Sequence, residues 1–142
     1  LDDGLDTDTG VVRITVVANQ APIAEDDVAS VREGRVLSIQ TTFLLSNDRD
    51  PEGDPITIAG FSGASNGSVS FDGTTFTYTP NAGFAGEDAF TYILDDGLDT
   101  DTGVVRITVV ANQAPIAEDD VASTGTGVPL ALSADSLLAN DR

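Results

Sequence analysis

The feature that most constrains this chain is an internal repeat. Residues Leu1–Ser30 recur without a single change as Leu94–Ser123, an offset of 93 residues. Beyond the identical block, the same offset still pairs Leu44-Leu45 with Leu137-Leu138. A fixed period of this size predicts that the chain is a window onto a tandem array, in which each repeat folds as one module.

The repeat divides the chain into three parts. If a unit begins at Asn19, residues 19–111 form one complete β-sandwich repeat. Residues 1–18 are then the C-terminal strand of a preceding repeat, and residues 112–142 are the N-terminal strands of a following one. Because neither fragment can bury a core alone, we predict that neighbouring chains order both, by head-to-tail stacking or strand exchange.

The complete module has the pattern of short strands separated by turns. In its last apolar run, Val105, Ile107 and Val109 share one face, as the two-residue period of a half-buried strand requires. Hairpin-turn signals occur at Asn66-Gly67 and Asp72-Gly73, and Thr41–Asn47 is predicted to form one helical turn. Predicted strands cover residues 24–31, 35–40, 56–62, 68–71, 75–79, 89–94 and 103–110. This spacing predicts an all-β fold, an immunoglobulin/cadherin-like antiparallel β-sandwich of about seven strands.

The order of these strands predicts which loops lie together. In an up-and-down sandwich, the loops after the second, fourth and sixth strands gather where the chain enters the module, which we name the upstream end. The other loops gather where the chain leaves it, the downstream end. Pro22, in the linker between two modules, is expected to stiffen the connection.

The acidic composition restricts the possible partners. The chain has 24 acidic and 6 basic residues, a formal charge of −18, and no histidine or cysteine. Phosphates would be repelled, which argues against nucleic acid and anionic membranes as partners. No segment is apolar and long enough to insert into a membrane. With 40% hydrophobic residues the chain is predicted to be folded, its carboxylates neutralised by cations.

One run of carboxylates has the spacing of a calcium loop. Asp48, Asp50, Glu52 and Asp54 fill alternate positions of residues 48–54, the acidic loop. Such spacing places several oxygens around one point, as Ca²⁺ with its about six to eight oxygen ligands requires. The twelfth position of an EF-hand would be Ala59, which has no carboxylate, so a calcium-type loop on a β scaffold is predicted instead.

Two further acidic groups are predicted at the same end. The acidic turn, residues 95–101, contributes Asp96, Asp99 and Asp101, and the start of the module contributes Asp26 and Asp27. So many carboxylates would repel one another without a counter-ion, because two unit charges 4 Å apart cost about 4 kcal/mol at an effective dielectric near 20. The alternative is a solvated acidic surface. Glu25 and Asp95 could as easily face solvent. Glu87 and Asp88 are predicted to mark the downstream end and could contribute to the next junction.

A set of short motifs lies in a fixed order along the module. These are Asn19-Gln20-Ala21-Pro22, Asp26-Asp27, Leu44-Leu45-Ser46-Asn47-Asp48 with Asp50, Gly67-Ser68-Val69, Phe76-Thr77-Tyr78-Thr79-Pro80, Gly86-Glu87-Asp88-Ala89-Phe90-Thr91-Tyr92 and Asp96-Gly97. Together they resemble the cadherin-like, tandem-95-type (VCBS-like, Ig-like) repeats of large bacterial RTX-type surface adhesins. The resemblance implies export to the cell surface, Ca²⁺ at or near the junctions, and a part in adhesion or biofilm structure. Glu52 departs from the pattern, in which aspartate is common.

These observations favour a structural function over a catalytic one. Without histidine, cysteine or lysine, the chain lacks the usual proton shuttle and nucleophiles, and we expect no enzyme activity. The leading hypothesis is a calcium-stabilised extender repeat of an extracellular adhesin or biofilm filament protein, secreted to the bacterial surface, with neighbouring identical repeats as partners. The alternative is a module for carbohydrate binding or homophilic cell–cell adhesion. Phe76, Tyr78, Phe90 and Tyr92 could then stack on sugars, although their pattern favours the sandwich core.

Overall fold

Two β-sheets packed face to face make up the complete module. The computed structural model describes residues 4, 6 and 8–142. Within these residues, seven strands and two single-turn helices follow one another: β1 Asp27–Arg32, β2 Leu37–Gln40, α1 Thr41–Leu44, β3 Thr57–Phe61, β4 Gly67–Phe71, β5 Thr75–Pro80, β6 Gly86–Asp95, β7 Thr100–Val110 and α2 Ala134–Leu137. The sheets have the orders β1-β7-β6-β3 and β2-β5-β4. The predicted all-β Ig-like sandwich is confirmed.

One strand pairing differs from the antiparallel expectation. Strand β1 runs parallel to β7, with Asp27 opposite Val105 and Val31 opposite Val109. The remaining ladders of the complete module are antiparallel. The predicted first strand began at residue 24, but β1 begins at Asp27. Residues 24–26 therefore lie outside the strand. Two of their backbone N–H groups bond to carboxylates instead, Ala24 N to Asp101 and Glu25 N to Asp48.

The inward faces of both sheets form a compact aromatic and aliphatic core. Phe76, Tyr78, Phe90 and Tyr92 are at most 1% exposed, so their assignment to the core is confirmed. The Phe76 ring lies 5.2 Å from the Phe90 ring and 4.3 Å from that of Phe71. Helix α1 is the predicted helical turn, and its Leu44 is fully buried.

Two glycines allow the buried tyrosines to fit. Gly103 of β7 lies opposite Tyr92, and a Cβ atom there would be 2.5 Å from the tyrosine hydroxyl oxygen. A Cβ atom on Gly67 would lie 2.7 Å from the carbonyl oxygen of Thr79 and would also strike the Tyr78 ring. The predicted Asn66-Gly67 hairpin turn is therefore wrong, because Gly67 begins β4 and leaves room for Tyr78. The Asp72-Gly73 turn is confirmed between β4 and β5, with the Asp72 side chain accepting from Thr74 N and Thr75 N.

The loops gather at the two ends as the strand order predicted. At the upstream end, Thr41 N donates to Thr74 O, which joins the start of α1 to the β4–β5 turn. At the downstream end, Asn81 N donates to Asn66 O, and Glu33 N donates to Val110 O. The acidic loop, the acidic turn and the start of the module therefore share one end of the sandwich.

The described residues of the terminal fragments do not join the two sheets. Residues 11–17 form no strand and are exposed, and the predicted fragment 1–18 also includes residues 1–3, 5 and 7, which lie outside the described part of the chain. In residues 112–142 the regular element is helix α2. The division into residues 1–18, 19–111 and 112–142 and the ordering of the fragments by neighbouring chains stay predictions.

Candidate functional site at the acidic upstream end

The centre of the upstream end is the hydroxyl group of Tyr92. This side chain reaches from β6 between the start of the module and the acidic loop, and its oxygen lies 3.0 Å from Asp48 Oδ2 and 3.4 Å from Asp27 Oδ2. It also lies 3.1 Å from the Glu25 carbonyl oxygen. Burial, followed by the neighbouring Asp48 carboxylate, raises the pKa of Tyr92 above its usual range. The hydroxyl therefore stays protonated and serves these acceptors as a hydrogen-bond donor.

Asp27 and Asp48 form a pair of carboxylates in a partly desolvated position. Asp27 is 6% exposed and accepts a hydrogen bond from Asn47 Nδ2 at 3.3 Å. Burial raises the pKa of Asp27 to about 6, and repulsion from Asp48 adds to the effect. Burial also raises the pKa of Asp48, with repulsion from Glu25 and Asp101 as smaller causes. Their negative charges are thus close enough to oppose one another.

Asp50 shapes the acidic loop and leaves one oxygen without a donor. Its Oδ1 accepts from Glu52 N at 2.8 Å and from Asp54 N at 3.0 Å, while Gly53 turns the chain with a φ of +83°. Its Oδ2 is buried and has no hydrogen-bond partner, the one such side-chain atom in the described residues. An unpaired buried carboxylate oxygen lowers the stability of the fold, so we expect a cation or an ordered water to bind this atom.

The other predicted ligands are held by local partners. Asp101 Oδ2 accepts from Ala24 N at 2.9 Å, and this carboxylate is close enough to raise the pKa of Asp48. Glu52 accepts from the backbone and side chain of Gln20. Asp54 is exposed.

Asp26, Asp96 and Asp99 are held by other partners. Asp26 forms an exposed ion pair with Arg106 at 3.0 Å, on the outer side of β7. Asp96 and Asp99 each accept from Asn19 Nδ2 at 3.0 Å. Backbone hydrogen bonding from Asp99, then the Asn19 amide, lowers the pKa of Asp96.

The side chains converge less tightly than the spacing suggested. In the described part of the chain, no group of three or more acidic side chains is already arranged to hold a metal ion. Asp27 and Asp101 each lie within electrostatic reach of Asp48, and the buried Asp50 oxygen is on the same loop, two residues after Asp48. The structure also places Asp26, Asp54, Asp96 and Asp99 at the upstream end, where they have other partners or are exposed. The residues that could hold a hard cation are therefore Asp27, Asp48, Asp50 and Asp101.

The contact between the start of the module and the acidic loop recurs in the downstream fragment. Ile23 and Arg49 exchange backbone hydrogen bonds of 2.7 and 3.1 Å, and their repeat counterparts Ile116 and Arg142 exchange bonds of 2.6 and 3.1 Å. Further contacts recur at the same offset, including Glu25 N to Asp48 as Glu118 N to Asp141, and the Arg49–Glu25 ion pair as Arg142–Glu118. The fragment has no strand, so this contact is encoded locally.

The downstream end also contains a buried carboxylate, whose inward orientation was not predicted from the sequence. Asp88 was expected to mark the downstream end, but it is 8% exposed and turned inward. Its oxygens accept from Ser65 N, Asn66 N and Ala89 N, and from the Tyr78 hydroxyl at 2.8 Å. The signal was present, because Asp88 precedes Phe90 and Tyr92 on the inward face of β6 at the two-residue period.

Comparison with known proteins decides the family. A sequence model described as the bacterial Ig domain matches residues 19–108, nearly the whole of the complete module. The chain belongs to the bacterial Ig domain family. A bacterial Ig domain is a structural domain of surface or extracellular proteins, which agrees in class with the cadherin-like resemblance. No helix of this Ig domain or its flanks, within the described residues, is long and apolar enough to cross a membrane.

Solved structures show only distant likeness to this Ig domain. An endo-fucoidan hydrolase of glycoside hydrolase family 107, MfFcnA4, has 22% identity and a TM-score of 0.42 over 70% of this chain and 15% of its own. A chimeric titin Z1Z2 has 15% identity and a TM-score of 0.36 over 68% of this chain and 100% of its own. The chain thus spans about one-seventh of the length of the hydrolase, and at these scores the likeness carries no information on activity. No curated protein matched.

The raised pKa of Asp27 predicts a pH dependence for this Ig domain. Because the folded-state pKa of about 6 exceeds the ordinary value of 3.8, the folded state binds more protons between these limits. In EDTA, the free energy of unfolding should therefore rise by on the order of 2 kcal/mol as pH falls from 7 to 4.5. Urea unfolding at both pH values measures the change. Asp27→Asn should flatten the dependence, and a carboxyl titration of Asp27 by NMR near pH 4 would contradict it.

Proposed function

We propose that this Ig domain is a calcium-stabilised extender repeat of an extracellular bacterial adhesin or surface filament protein. In this role, a string of modules holds a terminal adhesive domain away from the cell. The proposal refines the structural, surface-exposed character of the family and follows the resemblance to cadherin-like repeats. Neighbouring identical repeats are the partners, and we propose no catalytic activity.

The observation that carries the proposal is the buried Asp50 Oδ2, which has no hydrogen-bond donor among the described residues. Two residues earlier in the loop, Asp48 stands beside Asp27, and the pKa of each is raised by burial and by repulsion from neighbouring carboxylates. A divalent cation would supply the missing partner and offset that repulsion. Asp27, Asp48, Asp50 and Asp101 would hold it, and all four offer the hard oxygen atoms that Ca²⁺ prefers.

Calcium at this position would stabilise the upstream end of the module. The start of the module and the acidic loop already meet through the Ile23–Arg49 backbone bonds, and Asp101 brings in the first residues of β7. A cation among these carboxylates would join three segments that are distant in sequence. Extracellular modules typically bind calcium at about 10⁻⁴–10⁻³ M, so the domain would be filled outside the cell and empty inside it.

Calcium should raise the thermal stability of the domain. With a dissociation constant of about 10⁻⁴–10⁻³ M, 10 mM CaCl₂ would add about 1.4–2.7 kcal/mol relative to EDTA. For a domain of this size the Tm would increase by on the order of 10 °C, measurable by differential scanning calorimetry. Magnesium at the same concentration should have a much smaller effect.

Matched variants test whether the response comes from the proposed residues. Asp50→Asn keeps one side-chain oxygen to accept from Glu52 N and Asp54 N, but it removes the charge. It should lose most of the calcium response while retaining most of the stability measured in EDTA. Glu87→Gln, which removes a charge at the downstream end, should respond like the unmodified chain. Equal Tm values in calcium and EDTA would remove the calcium mechanism.

The alternative function, binding of carbohydrate or of an identical module on another cell, has no specific support in the fold. The four aromatic residues that could have stacked on sugars are buried in the core. Glycan-array binding or calcium-dependent aggregation of coated beads by the chain would favour this alternative. An extender repeat should do neither.

A further inference from the structure

The chain leaves the module in a direction that Glu33 helps to set. Glu33 lies in the turn between β1 and β2, where Gly34 has a φ of +70° that L side chains rarely adopt. Its backbone N donates to Val110 O at 2.8 Å, and its carboxylate Oε2 accepts from Asn112 N at 3.1 Å. Asn112 is the first residue of the following repeat, so this bond joins the module to its successor.

Asn19 is the counterpart of Asn112 one repeat earlier, and it shows how this asparagine contacts the module that follows it. Its Nδ2 donates to Asp96 Oδ2 and to Asp99 Oδ2, both at 3.0 Å. The Asp96 carboxylate is fixed in turn, because its Oδ1 accepts from Leu98 N at 2.7 Å and from Asp99 N at 2.8 Å. The side chain of the linker asparagine is therefore bound by the acidic turn of the module that follows it.

We propose that this asparagine is a clamp between consecutive modules. Its backbone N–H bonds the Glu33 carboxylate of the module before it, and its side-chain amide bonds the acidic turn of the module after it. The chemistry is complementary, since a side-chain amide has two hydrogens and can serve two carboxylates at once. Both bonds are to charged acceptors, the stronger class of hydrogen bond. The partner surface is thus a second copy of this module, and the clamp does not depend on calcium.

The sequence also implies that successive joints differ. Thr126 stands 93 residues after Glu33, and threonine has neither a carboxylate nor the reach of glutamate. The repeat that begins at Asn112 therefore lacks this acceptor at its own downstream end. In an array of such repeats, each joint would be clamped or looser according to the residue at this position of the first turn.

Amide hydrogen exchange at Asn112 tests the first half of the clamp in the 142-residue chain. Glu33→Ala should speed exchange of this amide about tenfold, the change expected for loss of one bond to a charged acceptor. Glu87→Ala is the matched control, since Glu87 is also a carboxylate near the downstream end but accepts from the Thr108 hydroxyl. It should leave the Asn112 amide protected. Unchanged exchange in Glu33→Ala would overturn the proposal.

The second half requires a joint between two complete modules. In a two-module chain in which a second copy of residues 19–111 replaces residues 112–142, spin labels on the two modules should give a narrow distance distribution by pulsed electron resonance. Asn112→Ala should broaden it, whereas Glu87→Ala, which removes a carboxylate outside the linker, should not. A distribution that Asn112→Ala leaves unaltered would overturn the clamp.

Calcium removal separates this proposal from the extender function. The Asn112 amide should stay protected in EDTA, and loss of protection there would overturn the claim that the clamp acts without metal. If the thermal response to calcium is absent but Glu33→Ala still exposes the Asn112 amide, the calcium proposal fails and the clamp stands.

Discussion

Asp88→Ala should lower the free energy of unfolding by about 4 kcal/mol, the largest effect expected of any single change described here. The substitution leaves the Tyr78 hydroxyl and the backbone N–H groups of Ser65 and Asn66 without their acceptor. Each such buried donor costs about 1–3 kcal/mol when unpaired, and water entering the gap would recover part of that cost.

Urea unfolding of matched variants separates this network from a simple loss of charge. Glu87→Ala, the neighbouring exposed carboxylate, should change stability by less than about 0.5 kcal/mol. Tyr78→Phe removes one donor and keeps the ring, so it should cost about 1–2 kcal/mol. If Asp88→Ala proved no worse than Glu87→Ala, the carboxylate would not hold the downstream loops.

Gly103→Ala should destabilise the module by about 3 kcal/mol through a clash inside the core. The added methyl group would lie 2.5 Å from the Tyr92 hydroxyl oxygen and would also strike the ring. Tyr92 is fully buried, and its hydroxyl is held by Asp48, so the ring cannot swing aside without breaking that contact. Thermal unfolding followed by circular dichroism measures the loss.

Gly63→Ala is the matched control for this clash. Gly63 lies in the connection between β3 and β4, its φ is not positive, and nothing lies within 4 Å of the position of an added Cβ. The substitution should therefore be neutral or slightly stabilising, because alanine restricts the unfolded chain. Equal Tm values for the two glycine variants would mean that the close approach of Gly103 to Tyr92 does not restrict the size of the side chain at residue 103.

Much of the fold could be read from the sequence because its signals are local and periodic. The alternation of Val105, Ile107 and Val109, and the turn at Asp72-Gly73, located β7 and the β4–β5 hairpin to within three residues. The strand starts were less accurate. β6 begins at Gly86 and β7 at Thr100, earlier than predicted, because long cross-strand pairing extends polar ends such as Asp95–Thr100. The parallel pairing of β1 with β7 has no local signal.

The candidate site was predicted less completely, for a physical reason. Loop order predicted that the acidic groups share one end of the sandwich, as they do, but charge spacing could not separate Asp26, paired with Arg106, from Asp27, turned inward one residue later. That distinction depends on the register of β1 against β7, a tertiary property. The alternation along β6 also placed Asp88 on the inward face, where its partners come from a loop more than 20 residues away. Inward-facing carboxylates at strand ends are the signal to seek in related chains.

The recurrence of the Ile23–Arg49 contact as Ile116–Arg142 has a consequence for how an array reaches its native pairing. Neighbouring units with thirty identical residues risk exchanging segments, since a strand from one unit fits the next. A contact closed within 26 residues forms sooner than any pairing with a copy 93 residues away, because shorter loops close at lower entropic cost. The start of each unit would therefore pair with its own acidic loop before the same segment of a neighbouring unit is available. This order favours correct strand pairing during synthesis or export.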